Sequence, residues 1–455
     1  RALAASITSL MTGTAYKRSA ELAAIVGPYE GYARNADAHK KVMRKHAAAN
    51  DAVRTVGADD ARILHEATKA WPECLSLGER NGYRNAQASV IAPTGCLTAD
   101  TLITTDRGLA RLAELGEDHG TRWQDVDFQV STDEGPRRAT KFFVNGEEPT
   151  RRLMTEGGYR IQGTYAHRVK VVEPSTGLWE WKRLMEVAPG DVVPVQMNTL
   201  VGPARRVPLP VLDQAYYPGD HRIVVPDAVD EDLAELVGYF MGDGSLHAEG
   251  IRFSVADNDL DVVDRLQILG KQLFSLEAEV TAQQGSQEVM LSSIRLGRWW
   301  KAAGFAKQLS TEDHSGKGWR PHVPAALRET NSKAVYAAFL RGLFEADGTV
   351  ASGVPSVTTS SRSFASDVQV LLLTLALPST VRETVSGFGG PTFQVRLRNL
   401  EHAVLYGEAV GFLSERKARL VATEATHTGN RDLVLLPSSV WEELAPVGHA
   451  LRNEL

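Results

Sequence analysis

Residues 84–95 read RNAQASVIAPTG, and residues 96–115 continue as CLTADTLITTDRGLARLAEL. The first stretch is an extended run that closes in a Pro-Thr-Gly turn, a combination that halts regular structure. The second starts at Cys96 with its own alternation of apolar and polar residues and its own turn at Gly108. Two unrelated sequences therefore meet at the Gly95-Cys96 peptide, and a foreign segment interrupts a host.

Composition bounds what lies on either side. At 455 residues, a domain size of about 150 predicts three domains. With 43% hydrophobic and 23% charged residues, each piece can bury a core. The two cysteines, Cys74 and Cys96, exclude a disulfide framework and a Cys-based zinc cluster. Neither a signal peptide nor a bilayer-spanning apolar run is present, so a cytoplasmic location without a membrane partner is expected. A net charge of −6 confines any DNA contact to a local basic surface.

Upstream, residues 1–95 are predicted to be mainly helical. One helix runs through Ala20–Val26 and stops at Gly27-Pro28, and Val42–His46 lies in another. The stretches GYARNADAHKKVMRKHAAAN (31–50) and YRNAQASVIAPTG (83–95) resemble the cobalamin-dependent, class II ribonucleotide reductases. The resemblance implies a fragment of an α/β host in which Pro93, Thr94 and Gly95 line the ribonucleotide phosphate site; the plain alternative is an ordinary turn. It also implies adenosylcobalamin as cofactor of the joined host, not of this fragment alone. Cys74, beside Trp71, reads as a packing residue, so the fragment by itself should not reduce ribonucleotides.

Downstream, residues 96–205 break into short strands at Thr101–Thr105, Gln129–Thr132, Arg151–Thr155, Arg168–Glu173 and Asp191–Val195, which predicts an all-β fold. Cys96 with Asp100-Thr101-Leu102, then Gly163-Thr164-Tyr165-Ala166-His167 ahead of a strand, then Pro-Gly-Asp at 189–191, resemble the N-terminal part of an intein. That resemblance implies the horseshoe-shaped (Hint) splicing fold shared with hedgehog autoprocessing domains. It makes Gly95-Cys96 the scissile peptide, with the Cys96 thiol attacking the Gly95 carbonyl. His167 is expected to protonate the leaving nitrogen, and Thr164 to bond the scissile peptide and stabilise the oxyanion. Full splicing also needs a C-terminal His-Asn followed by Cys, Ser or Thr. The chain ends GHALRNEL, with Glu454 after Asn453 and His449 set apart, so the C-terminal splicing half is expected to be absent and the chain to be a truncated precursor.

Residues 206–455 carry a third signal, entered through a linker with Pro203, Pro208, Pro210, Pro218 and Pro226. DEDLAELVGYFMGDG (230–244) and SKAVYAAFLRGLFEADG (332–348) are near copies, each an apolar helical face with an N-terminal signal, Asp230–Asp232 in one and Ser332 in the other. Each bears small residues at i, i+4 and i+8, Ala234-Gly238-Gly242 and Ala338-Gly342-Ala346, which predict two helices in close backbone contact. Both end in Asp-Gly, with the glycine expected as a C-terminal cap. A carboxylate there is unfavourable by about 0.3–1 kcal/mol, so its duplication points to cation binding.

The copies Leu236–Gly244 and Leu340–Gly348 resemble the LAGLIDADG homing endonucleases, which often lie inside inteins. That implies an α+β domain of two pseudo-symmetric halves, Asp243 and Asp347 as Mg²⁺ ligands, and double-stranded DNA as substrate. In the family's basic motif Lys317 is the candidate charge-stabilising lysine. Strands at Ile251–Val255 and Phe393–Arg398 are expected over the major groove, offering Arg252, Gln394, Arg396 and Arg398, or else are solvated faces. Arg295, Arg298, Arg416, Lys417 and Arg419 are candidate phosphate contacts, and Ser366–Leu377 reads as the closing helix of the second half. The multidomain reading is a reductase fragment interrupted by a splicing element with an endonuclease. Its rivals are a reductase with an inert insert, an intein that no longer cuts DNA and, remotely, a sterol-transfer domain.

Overall fold

The structure, a computed structural model, describes residues 2–88, 95–117, 123–173, 175–214, 222–309, 319–387 and 389–425. Pro93, Thr94, Pro218, Lys317 and the terminal stretch with His449 and Asn453 lie outside the described residues. The chain divides into two compact units, Arg1–Thr94 and Gly95–Leu455.

The first unit is helical, as its sequence predicts: α1 (Ala2–Val26), α2 (Tyr32–Asp51) and α3 (Ala58–Asn81). Gly13 on α1 lets the helix approach the Trp71 ring, whose indole N–H donates to Ser9 Oγ at 3.0 Å. Tyr16, Met43, Trp71, Cys74 and Tyr83 form the core, with the His39 ring stacked on Tyr83 at 4.6 Å. Cys74 is fully buried, and burial pushes its thiol up to about 11, which suits a packing residue.

The second unit opens with β strands: β1 (Leu102–Thr105), β2 (Gly108–Arg111), β3 (Trp123–Val130), β4 (Arg137–Phe143), β5 (Thr150–Met154), β6 (Arg160–Thr164), β7 (Arg168–Val172) and β8 (Trp179–Arg183). They form one antiparallel sheet in the order β2-β1-β3-β4 and two hairpins, β5-β6 and β7-β8. The strand expected at Asp191–Val195 is reduced to one bridge, between Val172 and Val192. Asp191 instead accepts from the Ala188 amide and pairs with Lys182, so its side chain closes a turn.

The remainder is a duplicated α+β arrangement. The first half comprises α4 (Glu231–Asp243), β9 (Gly244–His247), β10 (Gly250–Ala256), α5 (Leu260–Phe274), β11 (Glu279–Gln283), β12 (Ser286–Ser292) and α6 (Ile294–Ala302). A short pair, β13 (Gln308–Leu309) with β14 (Trp319–Arg320), and α7 (Ala325–Arg328) lead to the second half. This contains α8 (Lys333–Ala346), β15 (Gly348–Ala351), β16 (Val354–Thr359), α9 (Arg362–Thr374), β17 (Ser379–Val385), β18 (Pro391–Leu397), α10 (Leu400–Ala409) and α11 (Glu415–Ala418). The sheets run β11-β12-β10-β9 and β17-β18-β16-β15, the same topology twice. The helix at 362–374 is therefore not the closing element: two strands and two helices follow it, as α5 is followed in the first half.

The caps form where the sequence places them. Asp230 accepts from the Leu233 amide at 2.8 Å, and Ser332 from the Val335 amide at 3.4 Å. A Cβ on Gly238 would collide with the Phe339 carbonyl, and one on Gly342 with the Glu235 carbonyl, so the small stripes do bring α4 and α8 into backbone contact. The glycines after the two Asp residues serve differently from expectation. Gly244 has φ −95° and ψ 154°, extended rather than left-handed, and a Cβ there or on Gly348 would strike Phe240 or the Phe344 carbonyl.

The β segment is joined to the duplicated part by buried polar contacts. Arg328 is 4% exposed and donates to both Glu114 oxygens, at 2.8 and 2.6 Å, and to the Leu109 carbonyl. Arg111 pairs with buried Asp367 at 2.6 Å. At the β5-β6 turn, Gly157 accepts from Gln369 and Val381, and the Tyr159 hydroxyl accepts from the Ser379 amide.

Candidate functional site

Two sites emerge within the second unit. At its start, the backbone between Gly95 and Leu97 lies against β6. The Thr164 amide donates to the Cys96 carbonyl at 2.9 Å, and Leu97 bridges Gly163. Both glycines are required by proximity: a Cβ on Gly95 would collide with the His167 backbone, and one on Gly163 would lie 2.6 Å from the Cys96 carbonyl oxygen. The Gly95-Cys96 peptide is then held at both ends. The Cys96 amide donates to Thr164 Oγ1 at 3.0 Å, and His167 Nδ1 lies 3.1 Å from the Gly95 carbonyl oxygen. The expected Thr164 bond to the scissile peptide is present, at its nitrogen, whereas His167, expected at the leaving nitrogen, lies at the carbonyl oxygen. A protonated Nδ1 would polarise the carbonyl in this geometry, while the threonine hydroxyl sits where the leaving amine forms. Burial, and then the Glu148 carboxylate, hold the Cys96 thiol above its ordinary range, which lowers its thiolate fraction at neutral pH.

The second site is at the C-terminal ends of α4 and α8, where the small residues converge. A Cβ on Gly242 would approach Asp347 Cγ to 3.3 Å, so the two Asp-bearing turns touch. Both Asp243 and Asp347 keep solvent-accessible surface, yet dense protein around the carboxylates desolvates them. Asp347 is pushed up to about 6, first by burial and then by the Asp243 charge; Asp243 is raised by burial, with Lys307 and Lys417 opposing.

Each helix end receives a lysine. Lys307 Nζ donates to the Gly242 carbonyl at 2.6 Å, and Lys417 Nζ donates to the Glu345 carbonyl. Burial lowers both ammonium groups, and the two Asp charges raise Lys307. A cavity of about 340 Å³ beside Asp243 is lined by Tyr239, Asp259, Glu345, Arg416 and Lys417, among others.

Among the described residues, no group of three or more His, Cys, Asp or Glu side chains is placed to hold a metal. Two mutually repelling, accessible carboxylates nonetheless fit a divalent cation that keeps waters and takes its other oxygens from a phosphate, as Mg²⁺ does.

The remaining predicted residues fall into separate groups. Arg252 on β10 and Gln394 and Arg396 on β18 stand on the sheet faces turned away from the helices, and Arg398 follows β18. Arg295 does not reach a surface: it is 8% exposed on α6 and bound to Asp213, with Arg298 3.5 Å from the same carboxylate. Arg416 is committed to Asp259 at 2.6 Å, and Arg419 to Glu415. Lys417, expected at a phosphate, is buried behind the α8 terminus. Sequence reasoning missed Lys307. Its only signal was recurrence of a lysine about as far beyond Asp243 as Lys417 lies beyond Asp347.

Comparison with known proteins finds likeness in two stretches of the chain. Residues 1–102 match the family described as ribonucleotide reductase, barrel domain, and residues 334–411 the LAGLIDADG-like domain. The vitamin B12-dependent ribonucleotide reductase of Streptantibioticus cattleyicolor is 66% identical over 97 residues, 21% of this chain and 16% of that protein, so the chain spans about a sixth of its length. The replicative DNA helicase DnaB of Rhodothermus marinus is 27% identical over 384 residues, 80% of this chain and 37% of that protein. Among solved structures, the I-DmoI complex with DNA and Mn is similar at 13% identity with a TM-score of 0.29, covering 40% of this chain and 96% of that one. No helix among the described residues is long and apolar enough to cross a membrane.

Proposed function

The chain joins a barrel fragment of a vitamin B12-dependent ribonucleotide reductase to a LAGLIDADG domain, and we propose that it is a precursor in which an intein with a homing endonuclease interrupts the reductase. On this reading residues 1–95 are host, 96–205 the N-terminal part of a Hint splicing domain, and 206–455 the nuclease region. The helicase match supports an insert independent of its host. Covering 80% of the chain, it must lie mostly beyond residue 95, although the two hosts are unrelated in name.

The observation that carries the splicing half is the clasped peptide: Cys96 amide on Thr164, Gly95 carbonyl beside His167. Cys96 Sγ attacks the Gly95 carbonyl carbon, the C–N bond breaks, the thiol proton passes to the departing amine, and a thioester replaces the amide. Thr164 orients the nitrogen and His167 takes up charge at the oxygen. Asp243 and Asp347 would hold divalent cations, which supply charge neutralisation at a phosphodiester of double-stranded DNA. The ribonucleotide is a substrate of the joined host only. For adenosylcobalamin chemistry the fragment does not fit: Cys74, its one thiol, is sealed in the core, and no step is assigned to it.

A strong thiol should release residues 1–95 from the native chain, with a rate that rises with pH because the Cys96 thiol is raised. Cys96→Ala should abolish the release. Equal release from both proteins would remove Cys96 as the nucleophile, and no release from either would favour the inert-insert reading.

A further inference from the structure

The two halves share a topology, but the open faces of their sheets differ in charge. In each sheet one face packs on helices, through Ile251, Phe253, Val289 and Leu291 in the first half and Val357, Phe393, Val395 and Leu397 in the second. Strand alternation fixes the opposite faces, and the register fixes their rows. In the first half Arg252 pairs across to Met290, and Met290 to Glu279; in the next row Ser254 pairs to Glu288, and Glu288 to Thr281. The charged residues of this face are one Arg and two Glu, and Glu288 takes the Arg252 guanidinium at 3.1 Å. In the second half Ser356 pairs to Arg396, and Arg396 to Thr380; in the next row Thr358 pairs to Gln394, and Gln394 to Arg382. Two Arg and no acid occupy these rows, and among the described residues Arg396 bonds only carbonyl oxygens, those of Ala351 and Val354. Among the described residues neither Arg382 nor Arg396 meets a carboxylate. The acid of β17, Glu383, faces the other way, opposite Phe393, and binds Arg362.

Building on the endonuclease reading above, we propose that the halves divide the work on duplex DNA. The second sheet supplies the affinity, through Arg382 and Arg396. The first sheet binds weakly and discriminates, through Glu279 and Glu288. A polyanion gains from each unpaired guanidinium by releasing counterions, and it is repelled where carboxylates face it. A glutamate on a groove face tolerates one base edge well, the cytosine amino group, and the hydroxyl and amide groups around Arg382 are permissive.

The test uses the full chain in Ca²⁺ and a duplex from an uninterrupted reductase gene spanning this junction, with binding measured across a salt series. Arg382→Ala should weaken binding by about tenfold and flatten the dependence of log K on log salt by about 0.9. Arg252→Ala should weaken binding by less than Arg382→Ala does, because the Arg252 charge is already met by Glu288. The double variant Glu279→Gln, Glu288→Gln should bind several-fold tighter and lose preference among duplexes altered under the first half. Equal losses from Arg252→Ala and Arg382→Ala, or weaker binding by the double glutamine variant, would overturn the division of work. A native chain that binds no duplex would overturn the endonuclease reading itself and this inference with it.

Discussion

At the Gly95-Cys96 peptide, Thr164 at the end of β6 and His167 ahead of β7 make the contacts, and the buried cluster of these hairpins is small, Val169, Val171 and Leu184. Asp243 and Asp347, by contrast, are held by α4 and α8 from inside a core that runs through both halves of the duplicated domain. Close backbone approach through glycine positions the groups in both places, at Gly95 and Gly163 in one and at Gly238 and Gly342 in the other. The difference lies in what backs them. Two helices in backbone contact, each closed by a lysine of the same duplicated domain, fix their own ends, whereas β6 reaches Thr164 from a turn that rests on Gln369, Ser379 and Val381 of that domain. The smaller site borrows its rigidity from the larger one.

That contrast is sharpest in the carboxylates themselves. Asp243→Asn with Asp347→Asn should lower Mg²⁺-dependent DNA cleavage on the order of a thousandfold, measured as double-strand breaks in the junction duplex, while binding in Ca²⁺ stays nearly intact. Thiol-induced release at Gly95-Cys96 should not change, because the helix ends carry none of its contacts. A double variant that cuts at the native rate would remove the carboxylates from the reaction.

Next in size is the joint between the regions. Arg328→Ala leaves the half-exposed Glu114 and the Leu109 carbonyl without their partner, and losing these charge-assisted hydrogen bonds of a buried arginine costs about 1.5–3 kcal/mol. Thermal unfolding should begin earlier, and release at Cys96 should fall more than DNA cleavage. Parallel losses in both activities would mean that the β segment does not lean on the duplicated domain in the way its contacts suggest.

What could be read from the sequence follows the same division. Helices α4 and α8, their caps and their small stripes are local patterns of one helix turn, and the structure has them where the residues indicate. Strands β10 and β18 alternate strongly enough to be read alone. Partner strands β2, β4, β6 and β8 were not: β2 is buried over Gly108–Ala110 and β8 is largely exposed, so neither shows two distinct faces, and pairing supplies stabilisation that the local sequence does not display. Arg328 with Glu114, separated by 214 residues, leaves no local trace. Nor does Lys307, which belongs to the α4 terminus only through the fold; Arg295 looked available because its partner Asp213 lies 82 residues away in the linker. For Cys96, Thr164 and His167 the residue types were legible, but which atom of the peptide each would touch was not.

The smallest expected effect tests how the helix ends tolerate their own charge. A carboxyl raised from 3.8 to about 6 in the folded state is protonated there at pH values where the unfolded chain has already lost the proton. Its contribution to stability is therefore fully present below pH 3.8 and is lost as pH rises through about 6, in the absence of metal. Because Asp347 keeps accessible surface, solvent weakens the effect, and the melting temperature of the metal-free chain should drop by about 1–3 °C on this account. Asp347→Asn should remove that drop and leave the variant slightly more stable than the native chain at pH 7.5. Mg²⁺ should restore the native chain above pH 6 and progressively fail to do so below it, since the cation competes with the proton for the same oxygens. A native chain whose melting temperature is insensitive to Mg²⁺ at pH 7.5 would mean that the two helix ends hold their paired charge unaided, and the comparison between a self-sufficient site and a borrowed one would lose its chemical basis.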